Sequence, residues 1–348
     1  MPTSTLTYTL FATIAIASLT SCAGGSSTAT TAPAVPQTSR AGKHATSPCP
    51  CLYVTNLDGG GNYSVTGYAA GATGNAKPIQ TIAGSYTQLE YNWGIALDDS
   101  ENIYAANSQD SGAITVYAAG SNGNVPPIQD ITGSNTGLNN PWAVAIDPVN
   151  GDIYAANGPE EESNESTITA YSPGANGNVA PIATIGGTNT GLSDPQGLAL
   201  DASGNIYVGN STPSITVYTA GANGNVAPIR TIAGRKTKLC SDDQLALDSS
   251  SNIYVVNACV NAVTVYGAGA NGNVAPIREL KGGNTKLKSP YGIALDASNN
   301  VYVSNLAGEG VGGYVTEYAA GATGDVAPIN TIKGKKTGMS NMRSIALH

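Results

Sequence analysis

The sequence is short of the side chains that most enzymes use. It carries two histidines and one phenylalanine in 348 residues. His44 lies in a Ser/Thr/Ala/Pro-rich stretch, and His348 is the last residue. A Ser-His-Asp triad or a His-rich zinc site therefore has almost nothing to be built from. Charged residues make up only 11% of the chain, and long helix-forming side chains are few. A net charge of −8 excludes the overall basic footprint of a nucleic-acid binder. No apolar run is long enough for a membrane-spanning helix; residues 6–19 are too short and too rich in Thr. What is abundant is Gly, Ser, Thr, Asn and Ala, the composition of an all-β protein dense in tight turns.

The 6–19 run suits the apolar core of an export signal. It leads into Leu19-Thr20-Ser21-Cys22, which resembles the bacterial lipobox, although no Lys or Arg precedes Arg40. The resemblance implies that Cys22 is lipidated and becomes the mature N-terminus. Ala23 after it implies the outer membrane in a two-membrane bacterium. Residues 23–48 hold almost no bulky apolar groups and cannot bury a core, so they read as a tether. Such a coil reaches on the order of 28 Å. The expected organisation is a signal peptide over 1–21, a lipidated Cys and tether over 22–48, and a folded head over 49–348.

The head is a repeat with a period near 50 residues, and repeats take precedence over any other reading. The motif Gly-Ile-Ala-Leu-Asp recurs, with variations, at 94–98, 143–147, 197–201, 244–248, 292–296 and 344–348. An apolar-Tyr-small-small-Asn motif recurs at 52–56, 103–107, 153–157, 206–210, 253–257 and 301–305. A Val-Tyr hairpin such as 215–232 also occurs six times. Each unit reads as four short strands, a to d, alternating with period two. One such sheet has two apolar faces and cannot stand alone; radial repetition buries both. The expected fold is a six-bladed, all-β propeller. The chain enters at a strand b and stops at a strand a, so the last strand is expected to complete the first blade as a 3+1 clasp.

These motifs resemble the NHL and YVTN propeller repeats. Residues 195–208 and 290–303 follow the NHL pattern, and 53–56 is the YVTN tetrad itself, although NHL repeats usually carry Asp where every copy here has Asn. The resemblance implies lyases, lactonases or non-catalytic scaffolds, so fold alone does not assign function.

Comparison among copies separates fold from function. The repeated Asn and Asp are expected to serve the turns, and the strand-b Tyr the packing between blades. The residue just before each Gly-Ile-Ala-Leu-Asp differs in kind: Trp93, Trp142, Gln196, Asp243, Tyr291 and Arg343. Trp93 and Trp142 are the only Trp in the protein. These six are expected at the mouth of the central channel, where aromatic faces stack on a ligand while polar groups bond its edges. A competing reading is that the rings merely plug the channel. Bases gather in three consecutive d–a loops: Arg235, Lys236 and Lys238; Lys281, Lys286 and Lys288; Lys333, Lys335 and Lys336. A basic arc beside aromatics suits an anionic glycan or an anionic surface; solvated rim charge is the alternative.

The expected function is a non-catalytic cell-envelope module that binds a glycan or an envelope protein. It would be monomeric, membrane-attached only through its lipid, and free of any required cofactor or metal. The second reading is a calcium-dependent lactonase- or lyase-like enzyme drawing on Asp242, Asp243 and Asp194, with the acidic stretch 160–165 as another Ca2+ candidate. Cys240 and Cys259 flank one blade on the same face and are expected to form a disulfide in an oxidising compartment. Cys49 and Cys51 are left open.

Overall fold

A computed structural model describes residues 50–57, 60–108, 112–159, 165–240, 244–306 and 312–348. Cys22, the 23–48 stretch, Cys49, the acidic stretch 160–164, Asp242 and Asp243 lie outside them, as does the Cys51 side chain.

The alternating motifs form six four-stranded antiparallel sheets. Blade 1 consists of Met342–Leu347, Pro50–Leu57, Tyr63–Ala69 and Gln80–Ala83, in that order. Blade 2 runs Asn92–Leu97, Ile103–Asn107, Ala113–Tyr117 and Gln129–Thr132, and blades 3 to 6 repeat it through Asn330–Ile332. The fold is thus the six-bladed β-propeller expected. The clasp is present: Met342–Leu347 pairs antiparallel with Pro50–Leu57, with Leu347 opposite Leu52 and Ile345 opposite Val54.

No blade owns a core. Six apolar clusters each span two neighbouring blades, such as Tyr53, Val65 and Ile82 of blade 1 with Ile95, Ile103 and Tyr117 of blade 2. Each fully buried aliphatic side chain contributes about 1.5–3 kcal/mol, and all of it depends on the adjacent blade.

Polar side chains close the joints. The Asn ending strand b is buried and bonds three ways. Asn257 Nδ2 donates to Val255 O and Thr264 Oγ1, while its Oδ1 accepts the Cys240 N–H at 3.1 Å. Asn56, Asn107, Asn157, Asn210 and Asn305 likewise accept from the incoming d–a loop. The Asn was expected to bond its own backbone, and it does; its larger role is to fasten the d–a loop to strands b and c. The last Tyr of strand c reaches the same loop: Tyr218 OH donates to Thr190 O at 2.6 Å, and Tyr266 OH to Thr237 O at 2.6 Å.

The Gly/Asn-rich stretch between strands c and d does more than turn the chain. It runs along the outer strand of the preceding blade. Gly224 N–H donates to Thr184 O at 2.7 Å, Asn223 Oδ1 accepts the Thr184 N–H, and Asn225 Oδ1 accepts the Asn189 N–H. The same bridge recurs at all six joints, including Gly74 with Ile332 where the ring closes. Every outer edge strand is thereby covered, which removes a template for edge-to-edge association.

Candidate functional site at the channel mouth

Inner strands crowd the propeller axis. A Cβ at Gly94 would lie 2.9 Å from the backbone of Ala143, and one at Gly292 would lie 3.0 Å from Arg343 O. Although the blade-5 copy carries Gln244 there, only a small residue fits at these two positions of the repeat Gly. The residue before it escapes the crowding through a bulge. The a–b register slips between Asn92 and Gly94, Pro141 and Ala143, Pro195 and Gly197, and Pro290 and Ile293. Trp93, Trp142, Gln196 and Tyr291 fall in these slips, and a bulge re-aims a side chain. Two residues before five of the variable positions the backbone is left-handed, at Tyr91, Asn140, Asp194, Ser289 and Asn341 (φ 42–46°). Such a conformation in a non-glycine residue is held only where the surroundings impose it.

Five of the six expected mouth residues meet. The Trp93 and Trp142 ring centroids are 4.2 Å apart, near edge-on, and Trp93 and Tyr291 are 5.8 Å apart. The Arg343 guanidinium lies 4.2 Å from the Trp93 centroid and 5.0 Å from that of Tyr291, a double cation–π contact. Tyr291 OH donates to Gln196 Oε1 at 3.2 Å. Gln196 Nε2 bonds Ser211 Oγ at 3.0 Å, and Ser211 Oγ donates to Asp194 Oδ2 at 2.9 Å. Tyr291 and Gln196 are buried, and Trp93, Trp142 and Arg343 half-buried. Asp243 lies outside the described residues. Gln196 of this cluster also lines a cavity of about 300 Å³ bordered by all six inner strands.

Trp142 Nε1 and Asp194 Oδ1 in this cluster are buried without a hydrogen-bond partner. They converge on one spot. A Cβ at Gly158 would sit 2.5 Å from Trp142 Nε1 and 3.4 Å from Asp194 Oδ1. A Cβ there would collide with the indole, so glycine is what lets the Trp142 edge pack against this backbone, with Asp194 beside it. The residue pattern gave no hint of Gly158, Ser211 or the relay to Asp194, because the partners come from different loops.

The basic arc shares this face, since its d–a loops end at the strand-b Asn. Arg235, Lys236, Lys286, Lys288, Lys335 and Lys336 are exposed and make no ion pair among the described residues. Lys238 is engaged instead, 2.6 Å from Glu279 Oε2. Lys333 sits 4.5 Å from the Tyr314 centroid. The Cys240–Cys259 disulfide is present, with Cα atoms 6.3 Å apart, and ties a d–a loop to the short 3-10 turn Ala258–Val260 on the same side. Among the described residues, no group of three or more His, Cys, Asp or Glu is arranged to hold a metal.

No protein-family model matches the chain. No curated protein matches it either. Among solved structures, it is similar to a crystal structure of a protein of unknown function from Bacteroides caccae, with a TM-score of 0.60 and 12% identity over 85% of this chain and 98% of that one. At that identity the likeness is one of fold alone.

Proposed function

We propose that the protein is a non-catalytic binding module of the bacterial cell envelope, built of NHL/YVTN-type repeats and anchored by a lipid on Cys22. Its ligand is an anionic glycan, taken at the Trp93/Trp142/Tyr291/Arg343 face. The observation that carries this reading is the orphan pair at the mouth, Trp142 Nε1–H and Asp194 Oδ1, both beside Gly158. A sugar hydroxyl accepts from the one and donates to the other, and an unmade buried bond costs about 1–3 kcal/mol. Aromatic rings beside that spot supply the stacking surface for the apolar face of a sugar. The exposed bases of the arc attract its acidic groups from a distance.

Both Trp lie at the mouth, so intrinsic fluorescence reports on this site alone. The test is an array of neutral and anionic oligosaccharides on the full chain, with hits titrated by Trp fluorescence. The expected result is a spectral change on binding, weakened about tenfold or more in Trp142→Ala and by salt. A Trp93→Ala/Trp142→Ala chain, which has no Trp left and is titrated calorimetrically instead, refutes the site if its affinity is unchanged. For the anchor, Cys22→Ser should abolish incorporation of labelled fatty acid; retained labelling contradicts it.

A further inference from the structure

The five a–b turns lie at the end of the blades away from the mouth, and four of them close alike. Asp98, Asp201, Asp248 and Asp296 each accept an Asn side-chain amide on Oδ2, from Asn102, Asn205, Asn252 and Asn300, at 2.8–2.9 Å. Their Oδ1 atoms each accept two backbone N–H groups. The turn of blade 3 breaks this pattern. It is one residue longer, and Asp152 stands at the Asn position: Asp147 N–H donates to Asp152 O as Asp98 N–H does to Asn102 O.

The exchange removes donors from a buried charge. Asp147 is 5% exposed. Its Oδ1 keeps one bond, from Val149 N–H at 2.8 Å, and its Oδ2 accepts none. Asp152 cannot donate; its own N–H turns to Asn150 Oδ1, and its Oδ2 accepts from Asn150 Nδ2. No Lys or Arg pairs with either carboxylate among the described residues. Asp147 Oδ2 would lie 3.3 Å from a Gly204 Cβ. It borders a cavity of about 300 Å³ that Asn150, Asp152, Tyr154, Ser203 and Gly204 also line. Burial, and then the Asp147 charge, push the Asp152 carboxyl above its usual range against the Asn150 bond. Asp201, at the place of Asp147, goes the other way: burial opposes its charge, but the Asn205, Ser203 and Tyr207 bonds hold it below that range.

We propose that Asp147 and Asp152 hold a hard divalent cation of the calcium class, which replaces the amide that closes the other turns. Calcium takes six to eight oxygens. Two carboxylates, the Ser203 and Tyr154 hydroxyls and water can supply them from the walls of this cavity. The site is independent of the channel mouth.

The decisive variant is Asp152→Asn, which installs the residue found in four sister turns and so keeps the fold. The full chain is melted in chelator and in millimolar calcium chloride, and titrated calorimetrically with calcium. The wild type should gain several degrees with calcium. Asp152→Asn should not respond, and in chelator it should melt at or above the wild type. Asp243→Asn should still respond. Three results overturn the site: no calcium response in the wild type, a response that survives Asp152→Asn, or a response lost in Asp243→Asn instead.

Discussion

Tyr291 donates its hydroxyl to Gln196 Oε1 at 3.2 Å although 95 residues separate them and a whole blade stands between. A bond of this kind exists only because blades 4 and 6 deliver the same repeat position to the axis at the same height. The ring is made by what the copies share, and its mouth by the one position at which they differ.

The closure is testable by removing it. Deleting residues 343–348 takes the inner strand from blade 1 and exposes the seam where Val54, Met342 and Ile345 are buried. We expect a loss of several kcal/mol in chemical denaturation. The milder Ile345→Ala should cost about 2–5 kcal/mol. An unchanged melting profile after the deletion would refute the clasp.

The Asn at the end of strand b carries a separate prediction. Asn257→Ala strands the Cys240 N–H and takes a donor from Thr264 Oγ1, which keeps its bond to Tyr266; this should cost about 1–3 kcal/mol. Asn257→Asp should be little better, because Oδ1 is kept but both donations from Nδ2 are lost. Denaturation midpoints of the two variants check this, and equal stability to wild type would contradict it.

Alkali should unfold the propeller sharply. Burial pushes Tyr68, Tyr171 and Tyr218 up to about 12, against their bonds to Thr66, Thr169 and Thr216. Burial and the Asp98 charge take Tyr104 to about 12. These groups hold their protons more tightly folded than unfolded. Their stabilisation is complete below pH 10, the unfolded value, and is lost as pH rises from there to about 12. Tyrosinate absorbance and circular dichroism should therefore change together in that window. Gradual ionisation of all Tyr near pH 10 with the fold intact would contradict it.

Reduction of Cys240–Cys259 opens a short loop in the blade with the shortest inner strand, Leu245–Leu247. Loop entropy sets the loss at about 3 kcal/mol. A Cys259→Ser chain with wild-type stability would argue against that contribution.

The count of blades, the clasp and the face that bears Trp93 and Trp142 were all legible in the sequence, because period-two strands and a fixed repeat leave little freedom. The partners of Asn257 and of the Asn223-Gly224-Asn225 stretch were not. Each bonds a segment that only ring geometry brings near: a d–a loop in one case, the neighbouring blade in the other. Asp152 is visible as an odd copy beside Asn102, Asn205, Asn252 and Asn300. Its meaning emerges only when the amide-to-carboxylate bond of the other four turns is known. Gly158 carries no pattern at all, since its role is to let the Trp142 indole pack against its backbone.

The most direct test of the account compares two variants in two assays. Trp142→Phe keeps a ring at the mouth and removes the indole N–H; Asn257→Ala breaks one joint and leaves the mouth residues in place. The account predicts that Trp142→Phe melts within a few degrees of wild type yet binds the anionic oligosaccharide identified on the array about tenfold more weakly. It predicts that Asn257→Ala melts lower but, while folded, binds as wild type does. Full affinity in Trp142→Phe would contradict it.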